Sequence, residues 1–122
     1  IDEIPILSIA ASFAEGITTI KDAKELRVKE SDRLAAISGG LAQICIKHEL
    51  FDDGIKIQGK SDDISVFAEI DSFGDHRIAM SFLVASLRSE KGMFVKNCKN
   101  IFTSFPSFLE TMNHLGIHVN EA

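Results

Sequence analysis

Apolar residues cover positions 4–15 (IPILSIAASFAE) almost all the way round a helical wheel. That pattern predicts a helix buried on every side, with Pro5 suited to its first turn and Gly16 to its C-cap. Residues 17–21 (ITTIK) are short and β-branched, a strand by composition, and 22–25 turn the chain. Leu34, Ile37, Leu41 and Ile44 then recur at helical spacing as far as about Lys47, predicting an amphipathic helix with one buried stripe. Gly39-Gly40 lies inside it at a cost of about 1 kcal/mol per glycine relative to Ala, which predicts a kink or early fray.

From Glu49 the period changes from helical to alternating. Asp52-Asp53-Gly54 is a tight-turn signal, and Ile55 and Ile57 alternate with Lys56 and Gln58, so a hairpin is expected. A polar loop follows over 59–63 and a strand over 66–70. Gly74-Asp75 opens a second nearly all-apolar helix over roughly 76–89, which should also be buried. Gly92 ends a turn before a strand at 93–96, a last helix is expected over 105–115, and Gly116 precedes a short strand at 117–119.

The elements repeat. Ile20-Lys21-Asp22-Ala23-Lys24-Glu25-Leu26 lines up with Val95-Lys96-Asn97-Cys98-Lys99-Asn100-Ile101 at a spacing of 75, and Leu34 and Ile37 line up with Leu109 and Met112. Each copy runs buried helix, strand, amphipathic helix, strand. The expectation is an α/β (α+β) chain of two repeat units, 1–70 and 71–122, the second truncated after its second helix.

Charge changes the picture at one place. Arg27-Val28-Lys29-Glu30-Ser31-Asp32-Arg33-Leu34 packs five ionisable side chains into eight residues just ahead of the amphipathic helix. If Lys29 and Arg33 share the first helical turn, like charges four apart cost a few tenths of a kcal/mol. The positive end of the helix dipole disfavours both. An anion bound there would offset the two penalties. The plainer reading is a solvated charged turn that caps the helix through Ser31 or Asp32. Arg77 repeats the pattern, as a cation in the first turn of a helix with Asp75 as its N-cap.

Composition narrows the class. A chain of 122 residues buries one modest core, and 45% hydrophobic with 25% charged residues is ordinary for a soluble globular protein. The formal charge of −5 gives no general attraction to nucleic acid or to an anionic membrane, so an anion site has to be local. The apolar runs near 4–14 and 78–87 are too short to span a bilayer and lack signal-peptide flanks, which makes the cytoplasm the default compartment. Cys45 and Cys98 have no metal-ligand spacing and no disulfide framework; buried free thiols are expected.

Three segments resemble one family. ELRVKESDRL is similar to the signature segment of the EPSP synthases (3-phosphoshikimate 1-carboxyvinyltransferases). Asp71-Ser72-Phe73-Gly74-Asp75-His76-Arg77-Ile78-Ala79-Met80 is similar to a second signature, and Ile1-Asp2-Glu3-Ile4-Pro5 to a third. They stand in the family's order and near its spacing, and the resemblance covers essentially the whole chain. The family's chains are more than three times as long, so the sequence reads as a C-terminal fragment whose N-terminal domain is missing. The implied fold is part of an inside-out α/β barrel domain with buried parallel helices.

The implied activity is transfer of the enolpyruvyl group of phosphoenolpyruvate to the 5-hydroxyl of shikimate 3-phosphate, in the shikimate pathway to chorismate and aromatic amino acids. It needs no cofactor or metal. Two polyanionic substrates call for several fixed cations, preferably Arg. Addition and elimination call for carboxylates that move protons. By resemblance Asp2 contacts the attacking hydroxyl and accepts its proton, and Glu30 is the other acid/base group. Lys29 lies near shikimate 3-phosphate, Arg33 and Arg77 hold phosphoenolpyruvate, and His76 matches a site histidine beside Arg77. Read singly, Asp2 is a helix cap, His76 an exposed helix start and Arg77 a surface cation.

The chain departs from the family pattern at Thr103, where many members carry a Lys, and at Glu25, where some carry Asn. The fragment alone is expected not to turn over. The alternatives are a non-catalytic anion-binding or structural module, and the UDP-N-acetylglucosamine enolpyruvyl transferase, which lacks the RVKESDR pattern.

Overall fold

The computed structural model describes residues 3–29 and 31–97. Helix α1 spans Ile4–Ser12, with Pro5 in its first turn as expected, but it stops three residues short of the expected end. The Lys60 N–H donates to the Ser12 carbonyl at 3.0 Å, satisfying a helix-end acceptor from outside the helix. A Cβ on Gly59 would lie 2.1 Å from the Ala11 carbonyl oxygen, so only glycine lets the chain pass against the end of α1 here. The helix is not buried all round either. Pro5, Ser8, Ile9, Ala11 and Ser12 face inward, whereas Ile6, Leu7 and Ala10 face outward. The buried serines cost little, because Ser8 and Ser12 donate to the carbonyls of Ile4 and Ser8 at 2.8 Å.

Strand β1 (Gly16–Ile20) leads into a turn of 3-10 helix, Lys24–Val28, and then α2 (Arg33–Gln43). The expected stripe is buried, with Leu34, Ile37 and Leu41 inside α2 and Ile44 just past its end. The helix runs on through Gly39-Gly40 but ends at Gln43, short of the expected end near Lys47. A Cβ on Gly40 would come within 2.2 Å of the Phe82 ring, so α2 packs directly on that ring at this glycine, and the packing outweighs its propensity cost. Cys45 is exposed, contrary to expectation. It follows α2 with φ +62°, and this reversal turns Ile44 and Ile46 inward while its own side chain points out. Cys98 lies outside the described residues.

The hairpin is as expected. β2 (Lys47–Phe51) and β3 (Gly54–Gly59) pair antiparallel around Asp52-Asp53, and Ile55 and Ile57 are buried while Lys56 and Gln58 are exposed. β3 also pairs antiparallel with β1, giving a sheet of order β1-β3-β2. Strand β4 (Ala68–Asp71), helix α3 (His76–Ala85) with a 3-10 turn at Ser86–Arg88, and strand β5 (Met93–Lys96) form a parallel β-α-β unit. β4 straddles the expected unit boundary at 70/71.

The 75-residue repeat has a backbone counterpart. Asp22 and Asn97, matched by that spacing, both take positive φ, +56° and +59°, two residues after the end of β1 and one after the end of β5. The three helices pack on one another, and α2 touches β2 of one sheet and β4 of the other. Val84 and Ala85 of α3 face α1 across an apolar groove of about 310 Å³ lined also by Ile6, Ile9, Phe13 and Leu87. The helix and strand expected beyond residue 100 lie outside the described residues. Among the described residues no helix is long and apolar enough to cross a membrane.

Candidate active site

Both charged segments sit at the start of a helix, and each start has an aspartate as N-cap. Asp32 accepts the Ala35 N–H at 3.1 Å, and Asp75 accepts the Arg77 N–H at 3.0 Å. An N-cap of this kind stabilises a helix by about 1 kcal/mol. Lys29 is not in the first turn of α2. It closes the preceding 3-10 turn with extended backbone, so it does not stack on Arg33 one turn away and the expected like-charge penalty does not arise. Arg33 alone bears the dipole penalty, as the first residue of α2.

The anion that offsets it comes from the chain itself. Arg33 Nε donates to Asp75 Oδ2 at 2.8 Å and Nη2 to Asp75 Oδ1 at 3.3 Å. Both side chains are withdrawn from water, at 2% and 0% exposure. Ser31 Oγ donates to the same Asp75 Oδ2 at 2.8 Å. One carboxylate thus receives the side chains of Ser31 and Arg33 from the first segment while capping the helix that carries Arg77. Burial alone would push the Asp75 carboxyl up. The hydrogen bonds from Arg33 and Ser31, the charge of Arg33 and the Arg77 N–H outweigh it and hold the pKa below the ordinary aspartate value.

The second segment is also fixed to the strand after it. The Ser72 hydroxyl lies 2.7 Å from the carbonyl oxygens of Lys96 and Asn97. Asp71 Oδ1 accepts from Asn97 Nδ2 at 2.9 Å and from the Phe73 N–H at 2.8 Å. These bonds, from Asn97 first and Phe73 next, lower the pKa of Asp71.

Of the expected site residues, Lys29 and Arg77 are exposed, and neither side chain has an ion pair among the described residues. Each stands two residues in sequence from the Ser31–Asp75 bond. Ser31, two residues after Lys29, is bonded to Asp75, two residues before Arg77. His76 is half-buried between them in sequence, at the first position of α3. Asp2, Glu30 and Thr103 lie outside the described residues. Glu25 is exposed in the 3-10 turn. Among the described residues no group of three or more His, Cys, Asp and Glu is arranged to hold a metal ion.

Sequence reasoning recognised Asp75 as a cap and missed it as the joint between the two segments. The available signal was a capping carboxylate in one charged segment and a cation at a helix start in the other, but nothing in either string says that they meet.

Fold and site together define an α/β domain in which two charged segments, 42 residues apart, are joined at a buried Arg–Asp pair. The profile of the EPSP synthase (3-phosphoshikimate 1-carboxyvinyltransferase) family matches residues 1–112. The chain is 48% identical to the 3-phosphoshikimate 1-carboxyvinyltransferase of Ruthia magnifica over 98% of its length, and 50% identical to that of Legionella pneumophila over 99%. It spans 27% of the length of each of these relatives. A solved structure of EPSP synthase from Acinetobacter baumannii superposes with a TM-score of 0.91 at 42% identity, over 97% of this chain and 28% of that one. The chain belongs to the EPSP synthase family.

Proposed function

We propose that this chain supplies one wall of the active site of an enzyme that joins phosphoenolpyruvate to shikimate 3-phosphate. The 5-hydroxyl oxygen adds to C2 of the enolpyruvyl group while a proton is added to its methylene carbon. The C2–O bond to phosphate then breaks as a proton leaves the new methyl group, which restores the double bond and releases phosphate. Asp2 takes the hydroxyl proton, and Glu30 delivers and recovers the proton at the methylene. Lys29 and Asp2 bind shikimate 3-phosphate; Arg33, Arg77 and His76 bind phosphoenolpyruvate. Arg33 acts while anchored on Asp75, which fixes the plane of its guanidinium.

The observation that carries this reading is the Ser31–Asp75–Arg33 junction. It joins two of the three family-like segments, and the exposed cations Lys29 and Arg77, without ion-pair partners among the described residues, each stand two residues in sequence from one of its members. Two exposed cations without ion-pair partners among the described residues suit a polyanion. The division into repeat units 1–70 and 71–122 and a cytoplasmic location belong to the same reading, as does dependence on an N-terminal domain of the same chain. The test is phosphate release by the full-length protein that carries this segment, given shikimate 3-phosphate and phosphoenolpyruvate. Release is expected, and orders of magnitude less from Glu30→Gln and Arg77→Ala proteins that remain folded. Release only when UDP-N-acetylglucosamine replaces shikimate 3-phosphate would overturn the acceptor assignment, and no release with either would overturn the activity.

A further inference from the structure

Each of the three guanidinium nitrogens of Arg27 makes one hydrogen bond within the protein. Nε donates to the Asp52 carbonyl at 2.8 Å, Nη2 to the Phe51 carbonyl at 2.7 Å and Nη1 to Asp32 Oδ2 at 2.9 Å. The Ala23 N–H adds a bond to the Asp53 carbonyl at 2.7 Å, so three successive carbonyls of the β2–β3 turn are taken up by the segment that ends in Arg27. Asp32 divides its carboxylate, with Oδ1 capping α2 and Oδ2 meeting Arg27. The stretch between them is therefore closed at both ends, by Arg27 and Asp32 on one side and by the Ser31 bond to Asp75 on the other. Lys29 stands inside that stretch, exposed.

Energy alone does not explain Arg27. It is one-quarter exposed and its partner Asp32 more so, and ion pairs in that setting contribute about 0–1 kcal/mol. Its contribution is geometric: three nitrogens on three acceptors fix the direction in which the next residues leave the 3-10 turn.

We propose that Arg27 is a positioning residue for Lys29, holding the Lys29 stretch against the β2–β3 turn so that the ammonium meets the phosphate of shikimate 3-phosphate. This rests on the function proposed above. In the full-length protein, Arg27→Gln should raise KM for shikimate 3-phosphate about tenfold and leave KM for phosphoenolpyruvate within about twofold. Arg27→Lys should recover only part of the loss, because one nitrogen cannot reach three separated acceptors. In a Lys29→Met background the same Arg27→Gln change should move KM for shikimate 3-phosphate less than about twofold, since residues that act through one another are not additive.

A purely structural role would lower the melting temperature and leave the two KM values in proportion. If Arg27→Gln does not fold, Asp32→Asn keeps the cap and removes the charged partner of Nη1, and should give the same selective rise. A folded variant with KM for shikimate 3-phosphate unchanged, or an effect that multiplies fully with Lys29→Met, would overturn the proposal while leaving the enolpyruvyl transfer intact. A wild-type protein that transfers nothing would overturn the function and this inference with it.

Discussion

Arg33 and Asp75 meet across 42 residues of sequence with an Nε to Oδ2 distance of 2.8 Å, and both are shielded from water. The helix start that seemed to demand an external anion has an internal one. The pair is also the only charged connection between the first charged segment and the start of α3 among the described ion pairs.

Removing one partner should therefore be costly. Asp75→Ala leaves a buried guanidinium without its carboxylate and is expected to destabilise the fold by about 3–5 kcal/mol, read from the shift of the urea midpoint. Arg33→Met together with Asp75→Leu should cost less than Asp75→Ala alone, because no charge is then stranded. A double variant that costs the sum of its two single changes would mean that the pair is not coupled.

Acid should weaken the same joint. The native pKa of Asp75 lies below its unfolded value, so the unfolded chain binds the proton more readily. The stabilisation is complete above the ordinary aspartate pKa of about 3.9 and is lost as pH falls from there through the lowered native value. Asp71 acts in the same direction. Urea midpoints measured from neutral pH downwards should fall below about pH 4 in the wild type. They should fall less steeply in the Arg33→Met, Asp75→Leu protein.

Much of this architecture was legible because it is periodic. The alternation of Ile55 and Ile57 with Lys56 and Gln58 names a half-buried strand, and the Leu34, Ile37, Leu41 stripe names a helix face. What was not legible depends on contacts between distant residues. Gly40 reads as a helix weakness until the Phe82 ring is seen against it. Ile6 and Leu7 read as core until α1 is seen with one face unpartnered. Lys29 and Arg33 read as helical neighbours because a 3-10 turn ending at Val28 leaves no mark in residue spacing. The candidate site followed the same division. Its residue types were visible in the charged strings, but the carboxylate that joins those strings was not.

The approach of α2 to α3 makes a prediction at Gly40. Propensity alone says that Gly40→Ala should stabilise α2 by about 1 kcal/mol. The added methyl would fall 2.2 Å from Phe82 Cζ, and Phe82 is itself buried, so the ring cannot swing aside into solvent. Overpacking of this kind costs about 1–3 kcal/mol. Gly40→Ala should therefore lower the melting temperature, and Phe82→Leu in the same chain should recover part of the loss. A stabilised Gly40→Ala protein would mean that the helices separate freely.

The outward face of α1 makes the last prediction. Leu7 and Leu87 are each more than half exposed, and the groove of about 310 Å³ beside them is lined by Ile6, Ile9, Phe13 and Val84. The Arg88 guanidinium lies over the Phe13 ring at 4.8 Å and also lines the groove. A contiguous apolar face of this kind is unfavourable in water, at roughly 25 cal/mol for each Å² left exposed. The chain spans 27% of its relatives' length, so in a longer chain other sequence is available to cover this face. Prepared alone, the 122 residues should self-associate with rising concentration and bind a hydrophobic dye. Leu7→Glu with Leu87→Glu should suppress both without unfolding the core, because neither side chain is packed within it. A wild-type chain that sediments as a monomer at every concentration and binds no dye would show that Arg88 and the surrounding backbone already shield the groove.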